Sequence, residues 1–252
     1  MDSIKDKIIL LTGSSAGIGA ALAKRLVKDG AKVVGLARRK DRLEALQKEL
    51  EGEAGKFYPC QADLMKEEDI LQAYKWTVDN VGPVEIVINN AGVIRNGRLA
   101  EGSIEHFREV METNFMAVVI SCKEAIQIMK AHNIDGYIIN ISSTAAHYPT
   151  MSDLLNVYPS SKHALKIYTE NLRLELAKQK SKIRISSMSP GGVATEIAIA
   201  GGLVTEELLK NLPKDIRVLS PDDVVRCVMF MLSLPPLAHI TELILRPLGE
   251  GA

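Results

Sequence analysis

Short apolar segments alternate with longer stretches of helical periodicity along almost the whole chain. The first alternation runs from an apolar segment at residues 8–11 to a helical pattern at 18–29, and Gly30 marks its end. Two parallel strands need a long crossover between them, and a helix is the usual one. The alternation therefore predicts parallel βαβ units.

Continued along the chain, this pattern predicts an α/β fold with a doubly wound parallel sheet of seven strands flanked by helices. Most of the strands are continuous apolar runs, as expected for a sheet covered on both faces. No linker, repeat or low-complexity tract interrupts the pattern, so residues 1–252 are predicted to form a single domain. The predicted strands are 8–11, 32–37, 56–60, 86–89, 137–141, 184–188 and 242–245, and the predicted helices are 18–29, 40–50, 67–81, 104–129, 158–178 and 222–233.

The balance of acidic and basic residues limits which partners can be expected. Lys plus Arg equals Asp plus Glu at 31 each, and no long run carries a single sign. Nucleic acid and anionic membranes are therefore not the expected partners. We expect a small molecule or a second copy of the chain instead.

Cysteine usage and hydropathy bear on the compartment. Cys60, Cys122 and Cys227 are scattered and form no Cys-x-x-Cys pair, which argues against a disulfide framework or a zinc site, and no metal is predicted. No apolar stretch reaches the roughly 18 residues of a membrane span, and the first apolar run is too short for a signal peptide. The sequence predicts a cytoplasmic protein.

The first strand-to-helix connection is rich in glycine and reads Thr-Gly-Ser-Ser-Ala-Gly-Ile-Gly at residues 12–19. Glycines in such a turn let the backbone approach a phosphate, and the helix N-terminus attracts the anion. No Lys-Ser/Thr follows, which excludes a Walker loop, so the prediction is a dinucleotide and the alternative is an ordinary turn. The predicted contacts are Gly13, Ser15, Gly17, Ile18 and Gly19.

The end of the second predicted strand indicates which dinucleotide. An acidic residue there would bind the ribose hydroxyls of NAD, but this chain has Arg38 and Arg39. Guanidinium groups suit a ribose 2′-phosphate, which favours NADP(H), with Arg38 the stronger candidate. The alternative is a solvated basic pair at the start of the next helix.

A phenol and an ammonium group are spaced one helical turn apart at Tyr158 and Lys162. A tyrosine that works as an acid or base near neutral pH needs its pKa lowered by roughly three units, and a nearby cation can do this. Ser143 and Asn114 stand upstream. The spacing alone is weak, because two common residues often occur four apart.

These motifs occur together and in order. The glycine turn at 12–19, Asn-Asn-Ala-Gly at 89–92, Asn114, Ser143, Tyr158-x-x-x-Lys162 and Pro190-Gly191 resemble the short-chain dehydrogenases/reductases over essentially the whole chain. The resemblance implies a seven-stranded Rossmann fold, reversible hydride transfer between a nicotinamide and an alcohol or carbonyl, and a homodimer or homotetramer. More narrowly, the wider gap between Ser143 and Tyr158, Leu-Arg-Leu-Glu-Leu at 172–176 and Ile-Leu-Arg-Pro at 244–247 resemble the NADP-dependent farnesol dehydrogenase group and its vertebrate relatives that act on steroids and other carbonyls.

The resemblance also implies roles for individual residues. Tyr158 would exchange the proton with the substrate oxygen, Lys162 would lower the tyrosine pKa and bind the nicotinamide ribose, and Ser143 would hydrogen-bond the substrate oxygen. Asn114 would hold a water in a proton relay, with a helix-kink or packing role as its alternative. The implied cofactor contacts are Asp63 and Leu64 at the adenine, Asn90, Ala91 and Gly92 along the adenosine, and Pro190, Gly191, Val193 and Thr195 at the nicotinamide. For Thr195 a structural role is an equal alternative.

The substrate side departs from the family pattern. Two additional residues separate Ser143 from Tyr158, within 151–155, and alanines stand at 145 and 146 where glycine is common. A substrate loop is expected at about 194–217. Apolar residues in both regions suggest a lipophilic alcohol or carbonyl, with core packing as the alternative: Leu154, Leu155, Ile197, Ile199, Leu203 and Val204.

Two other functions stay open. A 3-hydroxy acid dehydrogenase of the same family would need a basic residue at the substrate mouth, for which Arg95, Arg98 and Arg217 are candidates. A non-catalytic NADPH sensor would keep the fold without turnover. His147 and His163 lack the partner spacing of a Ser-His-Asp site and are interpreted as structural.

Overall fold

The structure, a computed structural model, describes residues 4–148, 152–205, 207 and 217–249. Seven parallel strands form one sheet in the order β3-β2-β1-β4-β5-β6-β7. The predicted fold class is therefore confirmed. The strands are β1 Ile8–Thr12, β2 Lys32–Ala37, β3 Lys56–Gln61, β4 Ile86–Asn89, β5 Tyr137–Ile141, β6 Arg184–Pro190 and β7 Glu242–Leu245.

Helices cover both faces of the sheet. On β1, Ile9 and Leu11 pack in one apolar cluster with α1, α2 and α8, whereas Leu10 packs in the other with α3, α5 and α6. All five residues of this strand are buried, because successive side chains point to opposite faces and both faces are covered. The helices are α1 Gly17–Lys28, α2 Lys40–Glu49, α3 Glu67–Asn80, α4 Ile104–Met111, α5 Ala117–Ala131, α6 Tyr158–Lys178, α7 Ile197–Ala200 and α8 Pro221–Ser233.

The strand order reverses between β1 and β4, which are neighbours in the sheet. From β1 the chain continues to β2 on one side, whereas β5 follows β4 on the other. The loops that leave the carboxyl ends of β1 and β4 therefore diverge and open a crevice, which is the usual ligand site of such sheets. This topology places the glycine turn opposite residues 90–92.

One predicted helix is wrong in detail. The periodicity at 104–129 predicts a continuous helix, but the structure has α4, a π-helical turn at Glu112–Met116, and α5. The wider turn contains Asn114, whose amide bonds the backbone of Val93 after β4. A single extra residue in a turn hardly disturbs an apolar pattern, so periodicity does not reveal it.

Among the residues that the structure describes, no helix is long and apolar enough to cross a membrane.

Candidate active site

The turn after β1 has no room for a side chain at its three glycine positions. Gly13 and Gly17 have φ of 69° and 53°, values that L side chains rarely adopt. A Cβ on Gly19 would lie 2.2 Å from the Gly13 carbonyl oxygen. The Asn90 amide, from the loop after β4, donates to the Thr12 carbonyl oxygen at 2.9 Å. The turn therefore packs tightly against its own backbone, and a hydrogen bond joins it to the loop after β4.

A cavity of about 400 Å³ lies at the carboxyl ends of β1, β2 and β4. Six of the predicted cofactor contacts do not line it: Gly19, Tyr158, Lys162, Pro190, Gly191 and Val193. Gly19 packs beneath the turn, Tyr158 and Lys162 lie on α6, and the other three belong to β6 and the loop that follows it. The predicted cofactor contacts that line the cavity are Gly13, Ser15, Gly17, Ile18, Arg38, Arg39, Asp63, Leu64, Asn90, Ala91, Gly92 and Thr195.

Guanidinium groups line one side of this cavity. Arg39 donates from Nε and Nη2 to the Ser15 hydroxyl at 3.3 and 3.1 Å, and from Nη1 to Glu196 at 3.2 Å. Arg38 lines the cavity, and its side chain forms no hydrogen bond or ion pair with any residue that the structure describes. Arg42 also binds Glu196, at 2.8 Å. The sequence reasoning missed both members of this last pair.

The hydrogen-bond donors around this cavity suit a dinucleotide. The glycine cradle leaves no room for a Cβ, the helix N-terminus of α1 follows it, and arginines lie beside it. Such a combination accommodates a pyrophosphate and a further phosphate. Asp63 and Leu64, which follow the neighbouring strand β3, also line the cavity, and Asp63 Oδ1 accepts a hydrogen bond from the Met65 amide at 3.2 Å.

Gly92 connects the cavity to the predicted catalytic residues. A Cβ on Gly92 would lie 3.4 Å from Asn114 Oδ1 and 3.8 Å from Lys162 Nζ. Lys162 is buried and donates to the Ile141 carbonyl oxygen at 3.0 Å, and Asn114 donates to the Val93 carbonyl oxygen at 2.9 Å. Both side chains are therefore anchored on backbone at the carboxyl edge of the sheet.

Tyr158 and Ser143 form the second half of the group. The Ser143 hydroxyl lies close enough to the Tyr158 phenol to affect its pKa, and it accepts a hydrogen bond from the Ala145 amide at 3.1 Å. Helix α6 begins at Tyr158, with Pro159 in its first turn, as predicted from the restriction that a proline places on the preceding residue. The structure thus brings Asn114, Ser143, Tyr158 and Lys162 to one place.

The prediction that Lys162 lowers the pKa of Tyr158 is wrong for this structure. Burial raises the pKa of the phenol, and the nearby Ser143 hydroxyl only partly offsets that rise. Lys162 Nζ lies 5.7 Å from the centre of the tyrosine ring and is bonded to Ile141 instead. Burial also lowers the pKa of Lys162 to about 8, because a desolvated ammonium is disfavoured.

Helix α7 lies along the cavity, and two of its residues line it. Ile197 and Ala200 line the cavity, and the Asn96 amide donates to the Gly201 carbonyl oxygen at 2.8 Å. Arg95 Nη1 donates to the Ala200 carbonyl oxygen at 3.3 Å. The start of the predicted substrate loop thus lies against the loop after β4; residues 206 and 208–216 of that loop lie outside the described residues.

The additional residues before Tyr158 pair with the same loop. The Gly97 amide donates to the Leu154 carbonyl oxygen, and the Asn156 amide donates to the Gly97 carbonyl oxygen, both at 3.0 Å. Asn156, at a φ of 41°, also donates from its side chain to the Arg95 carbonyl oxygen. Of this stretch, Met151 lies outside the described residues.

The predicted basic and imidazole candidates have other partners. Arg95 binds Glu109 at 2.6 Å, and Arg98 binds Asp153 at 3.1 Å. The His147 ring lies between Lys166 at 3.0 Å and Glu242 at 2.7 Å, and His163 bonds the carbonyl oxygen one turn before it on α6. Neither histidine has the arrangement of a nucleophile's base.

Known proteins resemble this chain over nearly its whole length. The family model described as "short chain dehydrogenase" matches residues 7–201. The chain is 38% identical to a farnesol dehydrogenase of Aedes aegypti, covering 99% of each, and 37% identical to dehydrogenase/reductase SDR family member 11 of Mus musculus, covering 98% of this chain and 96% of the relative. Its structure resembles the closed form of a serine dehydrogenase complexed with NADP⁺, with a TM-score of 0.88 at 28% identity, over 97% of this chain and 96% of that one. The fold, the assembled tetrad and these likenesses agree, and the chain belongs to the short-chain dehydrogenase family.

Proposed function

We propose that the protein is an NADP(H)-dependent oxidoreductase that transfers a hydride between the nicotinamide and a lipophilic alcohol or carbonyl. One observation carries this proposal: a single cavity has arginines on one side and is lined elsewhere by Gly92, which lies beside Asn114 and Lys162. The arginines would hold the phosphates of a phosphorylated dinucleotide, and the residues around Gly92 would hold its reactive end.

The protein's own residues transfer the proton in the proposed reaction. In reduction, the Tyr158 phenol gives its proton to the substrate carbonyl oxygen, and the Ser143 hydroxyl, which lies beside that phenol, donates to the same oxygen. Lys162 and Asn114, each held by a backbone carbonyl oxygen, would form the path by which Tyr158 regains a proton. In oxidation the proton moves the other way. The nicotinamide, when bound, supplies or accepts the hydride.

Binding of the cofactor falls to three groups of residues. Gly13, Ser15, Gly17, Ile18 and Gly19 form the pyrophosphate turn, while Asp63, Leu64, Asn90, Ala91 and Gly92 form the adenosine side. Pro190, Gly191, Val193 and Thr195 form the nicotinamide side. Thr195 also lies against the pyrophosphate turn, because its Cγ2 would lie 3.0 Å from a Cβ on Gly17.

NADP(H) is preferred over NAD(H) because of Arg38 and Arg39. Both line the cavity, and the latter already binds a hydroxyl and a carboxylate oxygen. A ribose 2′-phosphate offers the same kind of acceptor with more charge. The NADP⁺ complex of the structurally similar serine dehydrogenase supports the same choice.

The substrate is proposed to be an isoprenoid alcohol, a steroid or a similar carbonyl compound. The described apolar residues at the predicted substrate loop and before Tyr158 are exposed or partly exposed, which disfavours the core-packing alternative for them. The likeness to a farnesol dehydrogenase supports the class. A 3-hydroxy acid is disfavoured because Arg95 and Arg98 already bind carboxylates, which leaves Arg217, exposed in the structure, as the remaining candidate.

We also propose a homodimer or homotetramer. Ile167 and Leu174 on α6 are 60% and 44% exposed, and exposed apolar side chains on one helix favour self-association. Light scattering coupled to gel filtration measures the mass directly.

A substrate panel tests the function. The protein is assayed at 340 nm with NADPH or NADP⁺ against isoprenoid alcohols and aldehydes, steroids, retinoids and 3-hydroxy acids. We expect turnover in the lipophilic classes. Turnover of 3-hydroxy acids alone would favour a 3-hydroxy acid dehydrogenase. Binding of NADPH without turnover of any compound would favour a non-catalytic sensor.

A further inference from the structure

Two arginines share the carboxylate of Glu196 beside the cavity, which Arg39 and Glu196 line and Arg42 does not. Both oxygens of Glu196 accept from Arg42 Nη1, at 2.8 and 3.1 Å, and one also accepts from Arg39 Nη1 at 3.2 Å. The other two nitrogens of the Arg39 guanidinium, Nε and Nη2, donate hydrogen bonds to the Ser15 hydroxyl. These guanidinium groups hold the pKa of the Glu196 carboxyl below its ordinary value, so it is an anion at neutral pH.

This carboxylate stands where another anion would bind. Arg39 and Glu196 both line the cavity, next to the glycine turn that holds Ser15. A phosphate on the ribose needs guanidinium donors, and one donor of Arg39 is already taken. A carboxylate so close would also repel the phosphate.

We infer that Glu196 is a specificity-determining residue that competes with the cofactor's 2′-phosphate for Arg39 and Arg42. The inference rests on the proposed use of NADP(H). Binding of NADP(H) requires the two arginines to exchange the carboxylate for the phosphate, whereas NAD(H) makes no such demand. Glu196 therefore lowers the preference for the phosphorylated cofactor below what the three arginines Arg38, Arg39 and Arg42 would otherwise produce.

The exchange has a structural consequence. Glu196 directly precedes α7, and the far end of the same segment is held by Asn96 and Arg95. The segment 196–202 is thus attached on both sides of the cavity. When the phosphate takes the arginines, the attachment at Glu196 is released while the one at Asn96 stays.

The test is a cofactor titration with the whole protein. Dissociation constants for NADPH and NADH are measured by the fluorescence of the reduced nicotinamide, without substrate, for the wild type and Glu196→Gln. The matched control is Glu44→Gln, because Glu44 is equally exposed on α2 but pairs with Lys40. We expect Glu196→Gln to bind NADPH roughly 2- to 5-fold more tightly, as suits an exposed pair, and NADH as before. The gain shrinks at high salt, since exposed charges are screened.

An equal change for both cofactors, or none, in Glu196→Gln would overturn the inference. So would a similar gain in Glu44→Gln. Failure of the proposed function looks different: the wild type would bind NADH more tightly than NADPH. The ratio of the two constants in Glu196→Gln relative to the wild type still decides the role of Glu196 in that case. A melting curve for each variant shows that it is folded.

Discussion

The two ends of the cavity are held in different ways. At the catalytic end, Lys162 and Asn114 are buried, and their main partners are backbone groups of Ile141 and Val93, in or directly after the central strands. At the arginine end, Arg39, Arg42 and Glu196 are 42–53% exposed in their side chains, and they bind one another. The sheet therefore determines the geometry of the proposed catalytic group, whereas the proposed cofactor preference would depend on exchangeable surface charges.

The energies follow the same division. An exposed ion pair contributes about 0–1 kcal/mol and is screened by salt, so the pairs of Glu196 are easily exchanged. A buried polar group that loses its partner costs about 1–3 kcal/mol, so Lys162 and Asn114 have little freedom to move. We expect substitutions at the arginine end to change which cofactor binds, and substitutions at the catalytic end to change the rate.

The largest expected effect is that of Tyr158→Phe. The variant keeps the ring in α6 and removes the hydroxyl that gives the proton, so we expect kcat to fall roughly 100- to 10,000-fold. NADPH affinity should change little, since the arginine end is untouched. Steady-state rates and a fluorescence titration check both expectations, and wild-type turnover in this variant would refute the role of the phenol.

A smaller effect is expected for Arg38→Ala. Loss of one guanidinium contact should reduce the preference for NADPH over NADH roughly 10- to 100-fold, with kcat at saturating NADPH nearly unchanged. The matched control is Arg226→Ala, an exposed arginine on α8 that pairs with Asp223. An unaltered ratio of the two dissociation constants in Arg38→Ala would show that this arginine does not contact the phosphate.

The smallest of the three is a pH effect at Lys162. The pKa of this lysine is about 8 in the folded protein against 10.5 for the free side chain, so between these values the unfolded chain binds the additional proton. Stability then rises with pH, and the buried ammonium is a cost below pH 8. From pH 8 to 9.5 the wild type should gain about 1–2 kcal/mol relative to Lys162→Met, measured by urea unfolding. Parallel stability curves would contradict the burial of a lysine with a lowered pKa.

Local patterns predicted much of this molecule. The strand, glycine turn and helix at residues 8–29 follow from periodicity and glycine spacing, which act between near neighbours. The placement of Tyr158 at the start of α6 follows in the same way from Pro159. Features set by the chain's own backbone within one turn are therefore accessible without a structure.

Contacts between distant segments are less accessible. The pairing of Arg42 with Glu196 joins residues 154 positions apart, and no local pattern indicates it. A partial signal existed for Arg42, since it lies in the first turn of the helix that follows Arg38 and Arg39. The spacing of Tyr158 and Lys162 suggested a direct effect on the phenol, but the lysine reaches a carbonyl of β5 that only the folded sheet places nearby.

Transfer of an isotopic label tests the central claim most directly. NADPH with deuterium at C4 of the nicotinamide, on either face in separate runs, is incubated with the best carbonyl substrate of the panel, and the product is examined by mass spectrometry. We predict that one of the two preparations yields alcohol with one deuterium on the former carbonyl carbon, and that Tyr158→Phe yields hardly any. Alcohol without deuterium from both preparations, or labelled alcohol from Tyr158→Phe at the wild-type rate, would contradict the account.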